Sequence, residues 1–126
     1  MKRIALALLL LSVACNRGET AKTQTTSAPS PPIGNAARGQ QLATQYGCNV
    51  CHLVPGVDGP RGSLGPSLQG VASRPMISQG TVKNTPPNLV LYLQNPASLN
   101  PQSTMPPLGV SADDAKDIAA FLMTLK

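Results

Sequence analysis

Cys48-Asn49-Val50-Cys51-His52 is the stretch that decides how this 126-residue chain is read. Two thiols stand three positions apart, and an imidazole follows at once. Across one tight helical turn residues i and i+3 project to the same side, so both sulfurs can reach two neighbouring groups on one planar ligand. That is the attachment signature of a c-type haem, in which each thiol becomes a thioether on one of the two vinyl groups. His52, held beside the iron by those bonds, can supply the proximal nitrogen ligand. Retention of such a group no longer depends on affinity.

Two other chemistries use a Cys-x-x-Cys pair. Tetrahedral zinc needs two further Cys or His ligands, but outside the motif the chain offers just Cys15, and His52 is its single histidine. A redox-active dithiol would accompany alternating strands and helices. No such pattern is found in the sequence.

Working outward to the N-terminus, Lys2 and Arg3 precede an apolar run from Ile4 to Leu11. This is too short to span a bilayer and has the charged and apolar regions of an export signal, residues 1–14. The segment Leu11-Ser12-Val13-Ala14-Cys15 resembles the lipobox of bacterial lipoproteins, in which the cysteine becomes the lipidated N-terminus. It departs from that pattern at Ser12, where an aliphatic residue is usual, and Ser12 with Ala14 also satisfies the small-x-small rule of ordinary cleavage. The lipoprotein reading is preferred because an unpaired cysteine in an exported chain otherwise lacks a purpose. From Cys15 to Ile33 the chain is rich in Thr, Ser, Ala and Pro, which reads as a flexible tether. The expected location is the periplasmic side of a membrane, with the lipid on Cys15 as anchor.

The haem domain is expected over residues 34–126. Asn35 caps a first helix that carries Ala36, Leu42, Ala43 and Tyr46 on one stripe and ends at Gly47. Gly39 interrupts it, at a cost of about 1 kcal/mol relative to alanine, so either a frayed start or a close helix crossing requires the missing side chain. Pro55, Gly56, Gly59, Pro60 and Gly62 make the segment after the motif a loop. A short helix follows from Pro87 to Asn95, stopped by Pro96. The segment from Pro101 to Gly109 is too proline-rich for helix or central strand. The last helix has Ser111 and Asp114 as a capping pair, Ile118, Phe121, Leu122 and Leu125 on its apolar side, and Lys126 at its end. Asp113, Asp114 and Asp117 read as capping and solvated surface. No strand pattern of useful length occurs, so the class is all-α.

Formal charge is +5, or +3 without Lys2 and Arg3, and no basic run exists to suggest nucleic acid. The domain has few large side chains: Tyr46, Tyr92 and Phe121 are its aromatics, and there is no Trp.

In their order, Arg38-Gly39, the Cys48–His52 motif, Gly65-Pro66-Ser67-Leu68, Arg74, Leu89 with Tyr92-Leu93, Pro96, Met105-Pro106 and a final helix bearing Phe121 resemble a class I bacterial monohaem cytochrome c. The resemblance implies crossed N- and C-terminal helices, with Gly39 against the last helix near Phe121, and short helices and loops around one haem c. It implies His52 and Met105 as axial ligands, the Pro66 carbonyl on the other ring nitrogen of His52, and Arg74 and Tyr92 at the haem propionates. Ala43 and Tyr92 stand where that family commonly has an aromatic residue and a Trp. Met76 and Met123 are the rival sulfurs, and methionine is more often core filler than ligand.

With both axial sites filled, the implied activity is one-electron transfer between donor and acceptor redox proteins, with no enzyme chemistry. The domain is expected to be a monomer. A fixed haem subunit of a dehydrogenase or oxidase, and a haem enzyme or gas sensor with an open iron, are the alternatives. A chain this small, with so little aromatic core, leans on the porphyrin as its apolar centre. Haem-free protein is therefore expected to have lost most of its native helicity, measured by far-UV circular dichroism against the haem-loaded form.

Overall fold

A computed structural model describes residues 33–126. The export signal, Cys15 and residues 16–32 of the tether lie outside the described residues. Five helices order the rest: α1 (Ala36–Gln45), α2 (Cys48–Cys51), α3 (Pro86–Gln94), α4 (Pro96–Leu99) and α5 (Ala112–Leu122). A 3-10 turn at Val71–Ser73 and two short strands, β1 (Met76–Ile77) and β2 (Val82–Lys83), stand between α2 and α3.

Local chemistry accounts for the helix ends. Asn35 Oδ1 accepts from Arg38 N at 3.0 Å and opens α1. Gly47, at φ 68°, turns the chain out of α1 and straight into α2. Thr85 caps α3, whose first two residues are prolines, where no helix N–H is needed. Pro96 ends α3 and also starts α4, so its fixed φ serves both boundaries. Ser111 Oγ accepts from Asp114 N at 3.2 Å and opens α5.

α1 and α5 cross in direct contact, and α3 packs on α5 beside them. A Cβ on Gly39 would lie 1.9 Å from the backbone oxygen of Asp117 and 2.9 Å from the nitrogen of Ile118. The two backbones therefore touch, and the glycine is required by the crossing. The contact falls at Asp117 and Ile118, one turn before Phe121. Leu42, Ala43, Leu89, Leu93, Ile118, Ala119, Phe121 and Leu122 form the buried core around it.

Polar groups lock the same crossing. Asp117, 8 % exposed, accepts from the Asn35 backbone N–H at 2.7 Å and from Arg38 Nη1. Asp114 accepts from Arg38 Nη2 at 2.5 Å and from the Tyr46 hydroxyl at 2.8 Å. The expectation that these carboxylates are solvated surface thus fails for Asp114 and Asp117, which fasten α5 to α1. The Asn35 N–H and the Arg38 guanidinium hold Asp117 below the ordinary carboxylate range. The Tyr46 hydroxyl, with Ser111 and Arg38, does the same for Asp114.

Two further expectations are corrected. α5 stops at Leu122, short of Leu125, because Thr124 turns back and bonds the Phe121 carbonyl with both its hydroxyl (2.6 Å) and its N–H (2.9 Å). Leu125 still packs on the core, and its carbonyl accepts from Ala72 N at 3.0 Å. A hairpin also exists, pairing Met76 with Lys83 and Ile77 with Val82. Strands of two residues show no periodicity, and its tight turn lacks the Asn-Gly signal that marks such turns.

No helix among the described residues is long and apolar enough to cross a membrane.

Replacing a helical glycine by alanine ordinarily stabilises by about 1 kcal/mol. Here Gly39→Ala is expected to destabilise the haem-loaded protein by about 3 kcal/mol, because the added methyl must separate two backbones. Urea unfolding measures the sign directly. Because Asp114 and Asp117 are lowered in the folded state, their contribution is complete above the ordinary Asp value of 3.8. It is lost as pH falls below that value and through the depressed ones. Asp117→Asn should lower stability at neutral pH and give a shallower loss on acidification, read by urea unfolding at a series of pH values.

Candidate functional site

α2 is a single turn hung from the end of α1, and its back is covered by the loop that follows it. Gly62 N donates to Asn49 O at 2.9 Å, Gly65 N to Cys51 O at 2.8 Å, and Asn49 Nδ2 to Asp58 O at 2.9 Å. A Cβ on Gly62 would lie 2.2 Å from Val50 O, so the loop runs directly on the α2 backbone. Asn49, 3 % exposed, is the tie for this loop. The turn that carries the two thiols is therefore held from behind by main-chain bonds.

In front of it lies a cavity of about 390 Å³, within the range of about 300–1,000 Å³ common for small-molecule and cofactor sites. Its apolar wall comes from every layer of the fold: Ala43 of α1, Leu68 and Val71 of the intervening loop, Ile77 of β1, Leu89 and Leu93 of α3, and Ile118 and Leu122 of α5. Cys48, Cys51, His52, Pro66, Arg74, Tyr92 and Met105 all line this same cavity. The residues singled out in the described part of the chain are thus gathered at one place, from positions up to 57 apart in sequence. Met76 and Met123 are not on the wall. Met76 precedes the cavity-lining Ile77, and alternation along β1 points the two in opposite directions; Met123 packs against the core.

The ring of His52 is fixed on two sides. Its Nδ1 lies 2.7 Å from Pro66 O. A carbonyl only accepts, so Nδ1 carries the proton and Nε2 keeps its lone pair. A Cβ on Gly65 would be 2.3 Å from His52 Cε1. The imidazole therefore lies flat against a stretch of bare backbone that any other residue would fill.

Met105 sits in the loop after α4. Ser103 Oγ accepts from Met105 N at 3.3 Å and pairs with the Tyr92 hydroxyl at 2.7 Å, tying this loop to α3. Arg74 donates through Nη2 to Ser67 O at 2.6 Å and to Gln69 O at 2.8 Å, bracing the segment that carries Pro66. Arg74 and Tyr92 thus each hold a loop as well as lining the cavity. Ser78, Gln79 and Ser103 also line it and carried no recognisable motif in the sequence.

The donor set suits a covalently held haem. Both cysteines are free thiols, one buried and one partly so, on the side of the turn that meets the cavity. Burial raises the Cys48 thiol above its ordinary value, which keeps it protonated. Nitrogen and thioether donors line the same cavity, with apolar side chains over most of the remainder. Zinc finds no second set of ligands, since no group of three or more His, Cys, Asp or Glu converges among the described residues.

Comparison with known proteins agrees with this chemistry. The family model for cytochrome c matches residues 36–126. Among solved structures, cytochrome c2 from Paracoccus denitrificans superposes with a TM-score of 0.54, covering 72 % of this chain and 95 % of that one. At 21 % identity it establishes a shared fold. No curated protein sequence gives a match. The chain belongs to the cytochrome c family: it is an electron carrier with one haem c attached through Cys48 and Cys51, and its partners are redox proteins.

Proposed function

We propose that His52 and Met105 are the two axial ligands of the haem iron, and that the domain is a one-electron shuttle between redox proteins on the exported face of a membrane. The observation that carries this reading is the presence of both side chains on the wall of one cavity with the two attachment thiols. The bound haem supplies a one-electron iron couple, whose potential a His and Met pair raises.

The chain's own part is positioning. The Pro66 carbonyl holds the proton of His52 on Nδ1, and Gly65 sets the plane of the ring, so Nε2 is the nitrogen left to coordinate. Pro106 and Pro107 restrict the backbone beyond Met105, and the Ser103 bond restricts it before, so the thioether is presented by a stiff loop. Stiffness on both sides keeps rearrangement small when the charge of the site changes. A methionine on the wall also argues for a filled iron over the open position of a gas sensor. Leu64 lines the cavity while 87 % exposed, which continues apolar wall to the surface and supports electron exchange with a partner at that edge.

Export and anchoring rest on the sequence. Lys2, Arg3 and the apolar run to Leu11 support an export signal, and Cys15 in its lipobox-like setting supports a lipid anchor. On this reading residues 16–33 let the domain range near the membrane, raising its effective concentration towards partners there.

Visible spectra of the parent and of Met105→Ala, both matured with haem, test the ligand assignment. The parent is expected to show the far-red sulfur-to-iron band in its oxidised form, and the variant to lose it while keeping covalent haem. A variant spectrum identical to the parent's would remove Met105 from the iron.

A further inference from the structure

Charge is absent from the mouth of the cavity. The lining residues that are exposed are Leu64, Pro66, Gln79, Thr104 and Pro106, and none of them ionises. Arg74 is the single charged residue on the wall; it is partly buried, and its Nη2 donates to the carbonyls of Ser67 and Gln69. The remaining charges of the described residues lie elsewhere. Arg38, Asp114 and Asp117 fasten the crossing of α1 and α5, and Lys116 pairs with Asp113 at 2.8 Å on the exposed part of α5. Lys83 is the partner of Met76 across the hairpin, so it shares the strand face that turns away from Ile77 and the cavity. Asp58 belongs to the loop behind α2, and Arg61 and Lys126 line a second hollow with Leu53 and Leu125, which shares no residue with the first.

Leu64 dominates this uncharged rim. Gly65 N donates to Cys51 O, so Leu64 stands beside the turn that carries the thiols, and it is the most exposed large apolar side chain among the described residues. The vinyl groups and the two carboxylates of a haem occupy opposite edges of the ring, so the edge held by Cys48 and Cys51 is the uncharged one. When two copies of one chain meet by the same face, each charge in the contact confronts its own kind. A charged rim repels its copy; this one does not. Five exposed residues fall well short of the ~1,000 Å² that a lasting interface buries, so such a meeting is brief and leaves the protein a monomer.

Resting on the reading of the Leu64 edge as the place of electron exchange, we propose that a second copy of this chain is a redox partner there. Two copies meet rim to rim, with Leu64 of each in the contact, and one electron passes from the ferrous iron of one to the ferric iron of the other. No bond forms or breaks and no proton moves. Products are identical to reactants, so no further oxidant or reductant enters. Electrons thereby spread through a population of carriers without a third protein.

The test measures electron self-exchange in mixtures of the oxidised and reduced haem-loaded protein, from the broadening of haem methyl resonances in proton NMR spectra. The parent's rate is expected to change less than about twofold between low and high salt, since the contact holds no charge to screen. Leu64→Lys and Leu64→Glu are both expected to slow exchange about tenfold at low salt, because each sets like against like, and salt should restore most of the loss. Opposite charges acting in the same direction is the mark of a face that meets itself. A parent rate that climbs steeply with salt, a Leu64→Glu variant faster than the parent, or two variants that match it would each overturn the copy contact. Complete reduction of the parent by ascorbate, alongside any of those results, would leave the carrier reading standing. Absence of covalent haem from the parent's pyridine haemochrome spectrum would instead overturn the reading beneath both.

Discussion

The contact of two bare backbones at Gly39 governs this structure. Because α1 meets Asp117 and Ile118 of α5 with no side chain between, the end of α1 has one position relative to α5. Gly47 then passes the chain straight into α2, so the two thiols inherit that position. The opposite wall inherits it as well, since Ile118 and Leu122 of the same α5 face the cavity. Arg38, Asp114, Asp117 and Tyr46 hold the crossing in register with directional bonds, where apolar contact alone would allow rotation about the close point.

The loops repeat the same device on a smaller scale. Gly62 lets one loop lie on the α2 backbone, and Gly65 lets the imidazole of His52 lie on the next. Close approach of main chain to main chain leaves few alternatives, because a displaced loop would strand N–H and C=O groups away from water. A site built largely from irregular chain can thus be as fixed as one built on helices. That suits electron transfer, in which the work of rearranging the surroundings limits the rate.

Arg74 and Tyr92 show how one side chain serves both support and site. Each touches the cavity, yet each also bonds chain that carries another site residue: Arg74 the segment of Pro66, Tyr92 the Ser103 that steadies Met105. Truncating Arg74 would therefore disturb the Pro66 segment that holds His52, and truncating Tyr92 the loop that carries Met105. A loss of function on mutation would report the brace as much as any contact with haem.

The sequence by itself determined what local chemistry determines. The Cys48–His52 spacing specified the cofactor class. The caps at Asn35 and Ser111, and the prolines at the start of α3 and just beyond its end, placed those helix ends within a residue or two, because capping involves neighbours in the chain; the short α4 that Pro96 opens was not read from the sequence. It also raised the question of Gly39, which helix propensity left open and the family resemblance answered with a helix crossing. The tertiary structure decided everything that depends on which segments meet. It turned Asp114 and Asp117 from apparent surface into the fastening of two helices, since their partners lie 68 to 82 residues away. It put Met105 on the cavity wall and Met76 off it, where the sequence had preferred Met105 by family resemblance and could not show which thioether meets the cavity. The hairpin with its left-handed Ser78 and Gln79 was invisible for the same physical reason: two-residue strands have no period, and a strained turn is held by what surrounds it rather than by the residues that form it.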